Sequence, residues 1–312
     1  MKASHKSFDI VALGEPMVEF NQTGDGEGRL YLQGFGGDTS NFAISAARQG
    51  ALVAYIGAVG EDTNGALFRQ LWEREGVDHH AVKSFPEAYT GVYFVSHDER
   101  GHHFQFFRSS SAASKYAATD LPLDLIRASR VLHLSGISAA ISTTACDACY
   151  AAVRAARDAD TLVSFDTNLR LRLWPVDRAR AVMSDLIRLS DLCLPSYEDI
   201  AAITGLRNPD VLVDHCLKLG AKIVALKLGA DGAIVADAQQ RYRIPPYPCN
   251  PVDATGAGDT FGGAFVARYL AGDDLQEAGR YAAVAAALST QGFGAVEPIP
   301  NATQVLQAMA LI

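Results

Sequence analysis

Short runs of β-branched and apolar residues alternate with longer helical patterns over almost the whole chain, and this alternation limits the fold more than any other feature. The runs predict strands at residues 8–13, 51–56, 131–134, 162–165, 192–194, 223–227 and 232–236. Helical periodicity predicts helices at residues 39–49, 64–75, 143–157, 175–189, 197–204, 211–219, 261–270, 275–290 and 302–308. This alternation is typical of an α/β fold with a mostly parallel central sheet that helices cover on both faces.

Two segments, at about residues 15–34 and 88–108, break this rhythm. Both alternate with a period of two, and no helix separates their strands; Tyr93, Val95, Phe104 and Phe106 fall on one face. We therefore predict one α/β domain over residues 1–312 whose two insertions form a small antiparallel β-sheet. Such a sheet would serve as a lid over a site at the carboxyl ends of the parallel strands. The alternative is a β-extension used only for dimerisation.

Charge and hydrophobicity narrow the class of protein. The formal net charge of the 312 residues is −8 and there is no basic run, which argues against nucleic acid or an anionic membrane as a partner. The chain has no apolar stretch of eighteen residues, and its first residues lead into a strand rather than a signal sequence. We expect a soluble, cytoplasmic protein.

The segment 252–263 carries the strongest chemical signal. Gly256 and Gly258 allow backbone amides to approach an anion closely, and the helix that follows adds the positive end of its dipole. Asp259 stands at the same helix start, where a carboxylate is suited to accept a proton from a hydroxyl that attacks a phosphoryl group. The alternative is a glycine-rich turn capped by an aspartate. The glycine spacing matches neither a Walker A loop nor a dinucleotide fingerprint.

A second glycine-rich turn, at residues 34–43, also precedes a helix. Gly36 and Gly37 lead into short polar side chains, and Asn41 lies one turn inside the helix. These groups suit a polyhydroxylated ligand, whereas capping of the helix by Thr39 or Ser40 would explain part of the pattern.

Further candidate groups follow later strands. Arg170 and Arg108 could each pair with a phosphate or a carboxylate, or they are unrelated surface arginines. The acids at the start of the predicted helix 197–204, Asp199 among them, either complement the helix dipole or hold magnesium through water. The segment 226–233 is a hairpin whose turn would contact ribose or phosphate if a nucleotide lay beside it.

These motifs resemble the ribokinase-like (PfkB-type) carbohydrate kinases over essentially the full length. The segment from Gly36 through Asn41 to Gly65 is similar to the first signature of that family, and residues 253–261 are similar to the second. Within the family the chain is most similar to 2-keto-3-deoxygluconate kinases, through residues 14–20, 107–112, 133–137, 166–170 and 173–174.

The resemblance implies a three-layer α/β/α fold and a set of site residues. Asp259 would be the catalytic base, and the anion hole would be formed by Gly256, Ala257 and Gly258. The substrate contacts would be Gly36, Gly37, Asn41, Tyr93, Phe106, Arg108, Arg170 and Asp259. The ATP side would be lined by Asn168, Arg170, Ser196, Lys227, Gly229, Gly232, Gly256 and Gly258. Mg²⁺ would be held through water by Asp199.

The chain departs from the family pattern at two places. Phe106 stands where members of the subfamily often carry tyrosine, so one hydroxyl contact is missing. The family's metal-associated Asn-x-x-Glu motif reads Ser196-Tyr197-Glu198-Asp199, with a serine and a shorter acid.

The sequence thus predicts ATP-dependent phosphorylation of 2-keto-3-deoxy-D-gluconate at its 6-hydroxyl. A fructokinase or ribokinase activity is the alternative within the family, and a non-catalytic sugar or nucleotide sensor is an alternative outside it. A nicotinamide oxidoreductase would need a glycine fingerprint after the first strand, where Leu13-Gly14-Glu15-Pro16 stands instead. We expect a homodimer or higher homo-oligomer through the lid sheet. Whether K⁺ binds near Asp253 stays open.

Overall fold

The computed structural model of this chain describes residues 6–23, 30–98 and 101–311. The strands are β1 (Phe8–Leu13), β2 (Met17–Thr23), β3 (Leu30–Gly36), β4 (Val53–Ile56), β5 (Ala58–Gly60), β6 (Val77–Asp78), β7 (Lys83–Phe85), β8 (Gly91–Asp98), β9 (Gly101–Phe107), β10 (Ser129–Ser135), β11 (Leu162–Asp166), β12 (Leu192–Cys193), β13 (Ile223–Lys227), β14 (Ala233–Ala236) and β15 (Arg241–Ile244). The helices are α1 (Asp38–Arg48), α2 (Thr63–Arg74), α3 (Ala112–Lys115), α4 (Leu123–Arg127), α5 (Gly136–Ala140), α6 (Thr143–Arg157), α7 (Val176–Leu189), α8 (Tyr197–Thr204), α9 (Pro209–Leu219), α10 (Ala257–Ala271), α11 (Leu275–Ser289) and α12 (Ala302–Met309).

Nine strands form the central sheet, in the order β15-β14-β13-β12-β11-β10-β1-β4-β6. All neighbours from β13 to β6 are parallel, because helical crossovers connect them. The prediction of a mostly parallel α/β sheet is confirmed. β14 and β15 are antiparallel additions at one edge. β15 was not predicted, because this short strand carries two arginines and its sequence resembles a polar loop.

The core lies in two layers, one on each face of the central sheet. Along β1 the side chains of Ile10 and Ala12 face one layer, while those of Val11 and Leu13 face the other. All four are at most 4% exposed, which explains why this strand is a continuous apolar run rather than an alternating one. The layers contain small helical residues as well as aromatic ones, so that helices approach the sheet closely and pack at interior density.

A second sheet, here called the small sheet, has the strand order β3-β2-β8-β9. Each insertion forms an antiparallel pair, β2 with β3 and β8 with β9, and the two pairs join through parallel pairing of β2 with β8. These strands come from the two predicted segments, although β2 and β8 pair in parallel rather than antiparallel, and the role of the small sheet as a lid stays a prediction. Residues 24–29 and 99–100 of these segments lie outside the described residues. Arg172, in the loop after β11, donates from Nη1 to the carbonyl of Phe104 over 3.2 Å, so the small sheet contacts the loop at the carboxyl end of β11.

Within the described residues, no helix is long and apolar enough to cross a membrane. The cytoplasmic location stays a prediction.

Candidate active site

The predicted site residues gather at the carboxyl ends of the parallel strands, between the starts of α1 and α10 and the small sheet. Open α/β sheets bind ligands at this edge, because every βα connection there ends in a helix N-terminus.

Helix α10 follows directly after a tight loop and begins earlier than the sequence indicates. Gly256 has φ 76°, a left-handed conformation that favours glycine, and it precedes the first helical residue. The helix was predicted to begin at residue 261, but it begins at Ala257 and so contains Asp259 in its first turn. The sequence did not indicate this start, because glycines have low helix propensity and a glycine-rich segment is typical of a turn.

The amides of the α10 start differ in whether they are free to bind an anion. Among the described residues, those of Gly256, Gly258 and Asp259 donate to no other protein group. The amide of Ala257 donates to the carbonyl of Ala254 over 3.2 Å. The predicted role of Ala257 in the anion hole stays a prediction, and its amide already donates within the turn. The next free donor is that of Asp259.

Asp253 holds the loop that leads into α10. Its Oδ1 accepts hydrogen bonds from the amide (2.9 Å) and hydroxyl (2.6 Å) of Thr255, and its Oδ2 accepts one from the amide of Gly294 (3.0 Å). An aspartate that accepts from the backbone two residues ahead forms an Asx turn. This turn aims the following amides into the cleft.

Asn41 and Asp259 meet directly. Asn41, on α1, donates from Nδ2 to Asp259 Oδ2 over 2.8 Å, and its own Oδ1 is buried without a partner among the described residues. Gly37 precedes α1 with φ 99°, and any side chain there would collide with the backbone of Glu15. The two glycine-rich turns thus bring the predicted substrate and catalytic residues together.

The environment of Asp259 changes its acidity. Burial, followed by the nearby negative charge of Asp38, raises the pKa of Asp259 to about 8. The hydrogen bond from Asn41 and the charge of Lys227 act in the opposite direction, although they are weaker. A carboxyl group that titrates near neutral pH is suited to general acid–base chemistry.

His133, on β10, packs against α1. Its ring stacks on that of Phe42 at 3.4 Å between centroids and 1° between planes, and its Nδ1 lies 3.0 Å from Ser164 Oγ. Burial, with a contribution from Lys227, lowers the pKa of His133 well below its usual value, so the ring stays neutral. Phe42 follows Asn41, and the stack therefore fixes the helix turn that carries this amide.

A polar network lies on the side of the cleft where a nucleotide was predicted. Lys227 Nζ is 2.5 Å from Asp166 Oδ2, and a Cβ placed on Gly258 would lie 3.5 Å from the same Nζ. Asn168 has φ 33° and donates from Nδ2 to Asp38 Oδ2 over 3.0 Å. Asn168 and Lys227 therefore lie beside α1 and α10, and they connect the two predicted halves of the site.

Ser196 and Asp199 make contacts that the sequence did not reveal. The hydroxyl of Ser196 accepts from the amide of Asp199 and caps α8. Asp199 Oδ2 accepts from the hydroxyl of Thr167 and the amide of Leu169, both at 3.0 Å, and so holds the loop after β11. Asp199 Oδ1 makes no hydrogen bond within the described residues, which leaves it able to hold a hydrated ion.

The described residues contain no cluster of three or more His, Cys, Asp or Glu side chains that would cage a metal. Mg²⁺ does not need such a cluster, because it keeps several waters and is usually bound by one or two carboxylates, here Asp199, together with phosphates. The donor set therefore fits a magnesium ion that arrives with a nucleotide.

The predicted glycine turn after β13 is present. Gly229 and Gly232 have φ 59° and 87°, and the amide of Leu228 donates to the carbonyl of Gly232 over 2.8 Å. The turn itself requires these left-handed conformations, which favour glycine. Because glycine has no side chain, the backbone of the turn stays accessible to a ligand.

One face of the small sheet faces the cleft. Tyr93 donates from its hydroxyl to Glu19 Oε2 over 2.6 Å, and Gly36 packs against the Tyr93 ring. The Phe106 ring lies 5.4 Å from that of Tyr93 and remains 39% exposed. Burial raises the pKa of Glu19. Glu19 was not among the predicted site residues, although a buried acid at an inward position of an alternating strand is itself a signal for function.

The two predicted arginines occupy different environments. Arg108 forms a buried ion pair with Glu15, so part of its charge is already compensated. Arg170 is exposed, and its only hydrogen bond within the described residues is to the carbonyl of Leu169. Arg170 is therefore the arginine whose charge has no acidic partner in this part of the chain.

The sequence pattern of the pfkB family of carbohydrate kinases matches residues 7–302. This chain belongs to that family. The kinase is 33% identical to a 2-dehydro-3-deoxygluconokinase of Thermoproteus tenax over 96% of this chain and 94% of the relative. It is 29% identical to fructokinase-1 of Oryza sativa subsp. japonica over 96% and 97%. It is thus a phosphotransferase that acts on an alcohol group of a carbohydrate, as predicted.

The fold of the kinase is also that of solved relatives. An E. coli protein described as a candidate ribokinase II, in complex with ATP and Mg²⁺, superimposes with a TM-score of 0.90 at 25% identity, covering 98% of this chain and all of the other. The ribokinase-like three-layer fold is confirmed.

Proposed function

We propose that this kinase transfers the γ-phosphoryl group of ATP to the terminal 6-hydroxyl of 2-keto-3-deoxy-D-gluconate. The observation that carries the proposal is the juxtaposition of Asp259 with uncompensated backbone amides at the start of α10. Proton acceptor and anion site lie in one helical turn, which is the arrangement that phosphoryl transfer to an alcohol requires.

The proton acceptor acts on the substrate hydroxyl. As the alcohol oxygen forms its bond to the γ-phosphorus, the O–H proton passes to the ionised Asp259 carboxylate and ADP leaves. Asn41 holds one oxygen of that carboxylate, which leaves the other for the hydroxyl. The pKa of about 8 supports this role, because a base works best when its pKa lies near the operating pH.

Three groups would offset the negative charge of the transferring phosphoryl group. These are the amides of Gly258 and Asp259, the dipole of α10, and the ammonium group of Lys227 beside Gly258. ATP and a divalent ion are supported by the E. coli relative, which binds ATP and Mg²⁺. When bound, the ion would neutralise phosphate charge, with Asp199 holding its water. Closure of the small sheet would exclude water and limit ATP hydrolysis.

The charge of Arg170 favours a sugar acid over a neutral sugar as the substrate. Arg170 is free of acidic partners within the described residues, so its guanidinium is available for a carboxylate. The T. tenax relative is named for the same substrate. A fructokinase activity is the second candidate, because the O. sativa fructokinase is almost as similar and the ion pair with Glu15 compensates Arg108.

A substrate panel tests the choice. Initial rates of ADP release are measured with 2-keto-3-deoxygluconate, fructose and ribose at equal concentrations with saturating MgATP, each with and without K⁺. We expect the highest kcat/KM on the sugar acid. A clear preference for fructose would refute the substrate assignment but not the mechanism, whereas no sugar-dependent ADP release would favour a sensor. The K⁺ arm decides whether the site near Asp253 uses a monovalent cation.

We further propose that the kinase forms a homodimer through the small sheet. Leu30 and Leu32 on one face of this sheet, and Phe107 on the other, are 45–69% exposed, and exposed apolar side chains on a small sheet favour contacts between chains. Light scattering of the wild type and of Leu32→Glu tests the proposal; a monomeric wild type contradicts it.

A further inference from the structure

Arg108 belongs to the face of the small sheet that faces the cleft. Phe106 pairs with Tyr93 in the β8/β9 register, and their side chains share one face of the sheet. Arg108 is two residues after Phe106 and therefore falls on the same face. Alternate residues of a strand share a face. The guanidinium carbon of Arg108 lies 5.8 Å from the centre of the Phe106 ring, and its side chain is 13% exposed. The side chain is thus held close to the sheet rather than extended into solvent.

One edge of this guanidinium is bound by a residue from the core. Arg108 donates from Nε to Glu15 Oε2 over 2.8 Å and from Nη2 to the same oxygen. Glu15 lies between β1 and β2, is 1% exposed, and accepts a further hydrogen bond at Oε1 from Ser111 Oγ over 2.6 Å. The amide of Ser111 in turn donates to the carbonyl of Arg108 over 3.1 Å. Both carboxylate oxygens of Glu15 are therefore used.

The remaining edge carries Nη1, which makes no hydrogen bond within the described residues. A guanidinium is planar, so a group that fixes the Nε/Nη2 edge also fixes the direction of Nη1. We propose that Glu15, with support from Ser111, is a positioning residue that holds Arg108 so that Nη1 binds the carboxylate of the sugar acid. This inference rests on the function proposed above.

The burial of the pair does not by itself indicate a role in stability. A buried ion pair is weak evidence for stability, because desolvation offsets its attraction. The opposite functional role would be neutralisation, in which Glu15 suppresses the charge of Arg108 and so weakens the binding of anions. The two roles predict opposite changes in KM when the Glu15 charge is removed, and this sign is measurable.

The experiment compares the wild type with Glu15→Gln, which keeps the shape of the side chain but removes its charge. KM and kcat are measured for 2-keto-3-deoxygluconate and for fructose at saturating MgATP. We expect KM for the sugar acid to rise about tenfold, with kcat changed by less than about twofold and KM for fructose unchanged, because only the acid uses the directed guanidinium. Glu75→Gln is the matched control, since Glu75 forms a comparably buried pair with Arg48 away from the cleft.

Combination with Arg108→Lys identifies the route of the effect. If Glu15 acts through Arg108, the double variant raises KM little beyond Arg108→Lys alone. Additive effects would overturn the proposal, as would an unchanged or lower KM for the sugar acid in Glu15→Gln. If Glu15→Gln does not fold, Ser111→Ala replaces it, with an expected two- to fourfold rise in KM for the acid; no rise in that variant also overturns the proposal. A wild type that prefers fructose refutes the proposed function instead.

Discussion

Asn41 donates a hydrogen bond of 2.8 Å to Asp259, and by this contact the first turns of α1 and α10 meet at one carboxylate. The two residues come from opposite ends of the sequence. The bond keeps one carboxylate oxygen in place and favours the ionised form of Asp259, against the burial that disfavours it.

Replacing Asp259 by asparagine removes the proposed proton acceptor and preserves the shape of the side chain. We expect kcat to fall by about 10²–10⁴ with ATP affinity retained, as measured by coupled ADP release and by calorimetric titration with MgATP. Asp273→Asn is the control, because Asp273 forms an ion pair with Arg268 at the far end of α10. Near-normal turnover in Asp259→Asn would refute the assignment.

The rate should depend on the ionisation of Asp259. Its pKa is raised to about 8, so the carboxyl is mostly protonated at neutral pH and becomes a base as the pH rises. We expect kcat/KM, measured at low concentrations of both substrates, to rise with pH and level off above about pH 8. A flat profile between pH 6 and 9 would contradict this.

Removing the hydrogen bond from Asn41 should move that profile. Because this bond lowers the pKa of Asp259, Asn41→Leu should shift the midpoint of the kcat/KM profile to higher pH. The control is Asn208→Leu, which alters an exposed cap of α9. A midpoint that stays in place in a folded Asn41→Leu protein would show that the hydrogen bond is not maintained in solution.

The same pKa shift affects stability with a definite sign. The folded protein holds the Asp259 proton more tightly than the unfolded chain, whose aspartates titrate near about 3.9. Ionisation therefore costs stability as the pH rises from about 4 toward 8. Asp259→Asn lacks this cost, so its melting temperature relative to wild type should increase across that range. A difference that is constant or falls with pH would contradict the shift.

The sequence predicted the central sheet well because its strands are apolar on both faces and its helices are regular. It also placed Asn41 and Asp259 at one edge, since both follow glycine-rich turns that lead into helices. It missed the Glu15–Arg108 pair, because nothing in the spacing of these residues indicates that two separate insertions align them. The start of α10 was predicted too late in the chain. The left-handed backbone of Gly256 lets the helix begin at Ala257, although the glycines of this segment have low helix propensity.

The parallel pairing of β2 with β8 has a consequence for how this kinase is made. Met17 pairs with Gly91, so neither hairpin can form the small sheet alone. During synthesis the β2/β3 hairpin is made first and gains this pairing only when β8 has been made. Until residues through Val95 of β8 have left the ribosome, the edge of β2 has no neighbour on that side. A nascent chain paused before this point would expose that edge to other polypeptides.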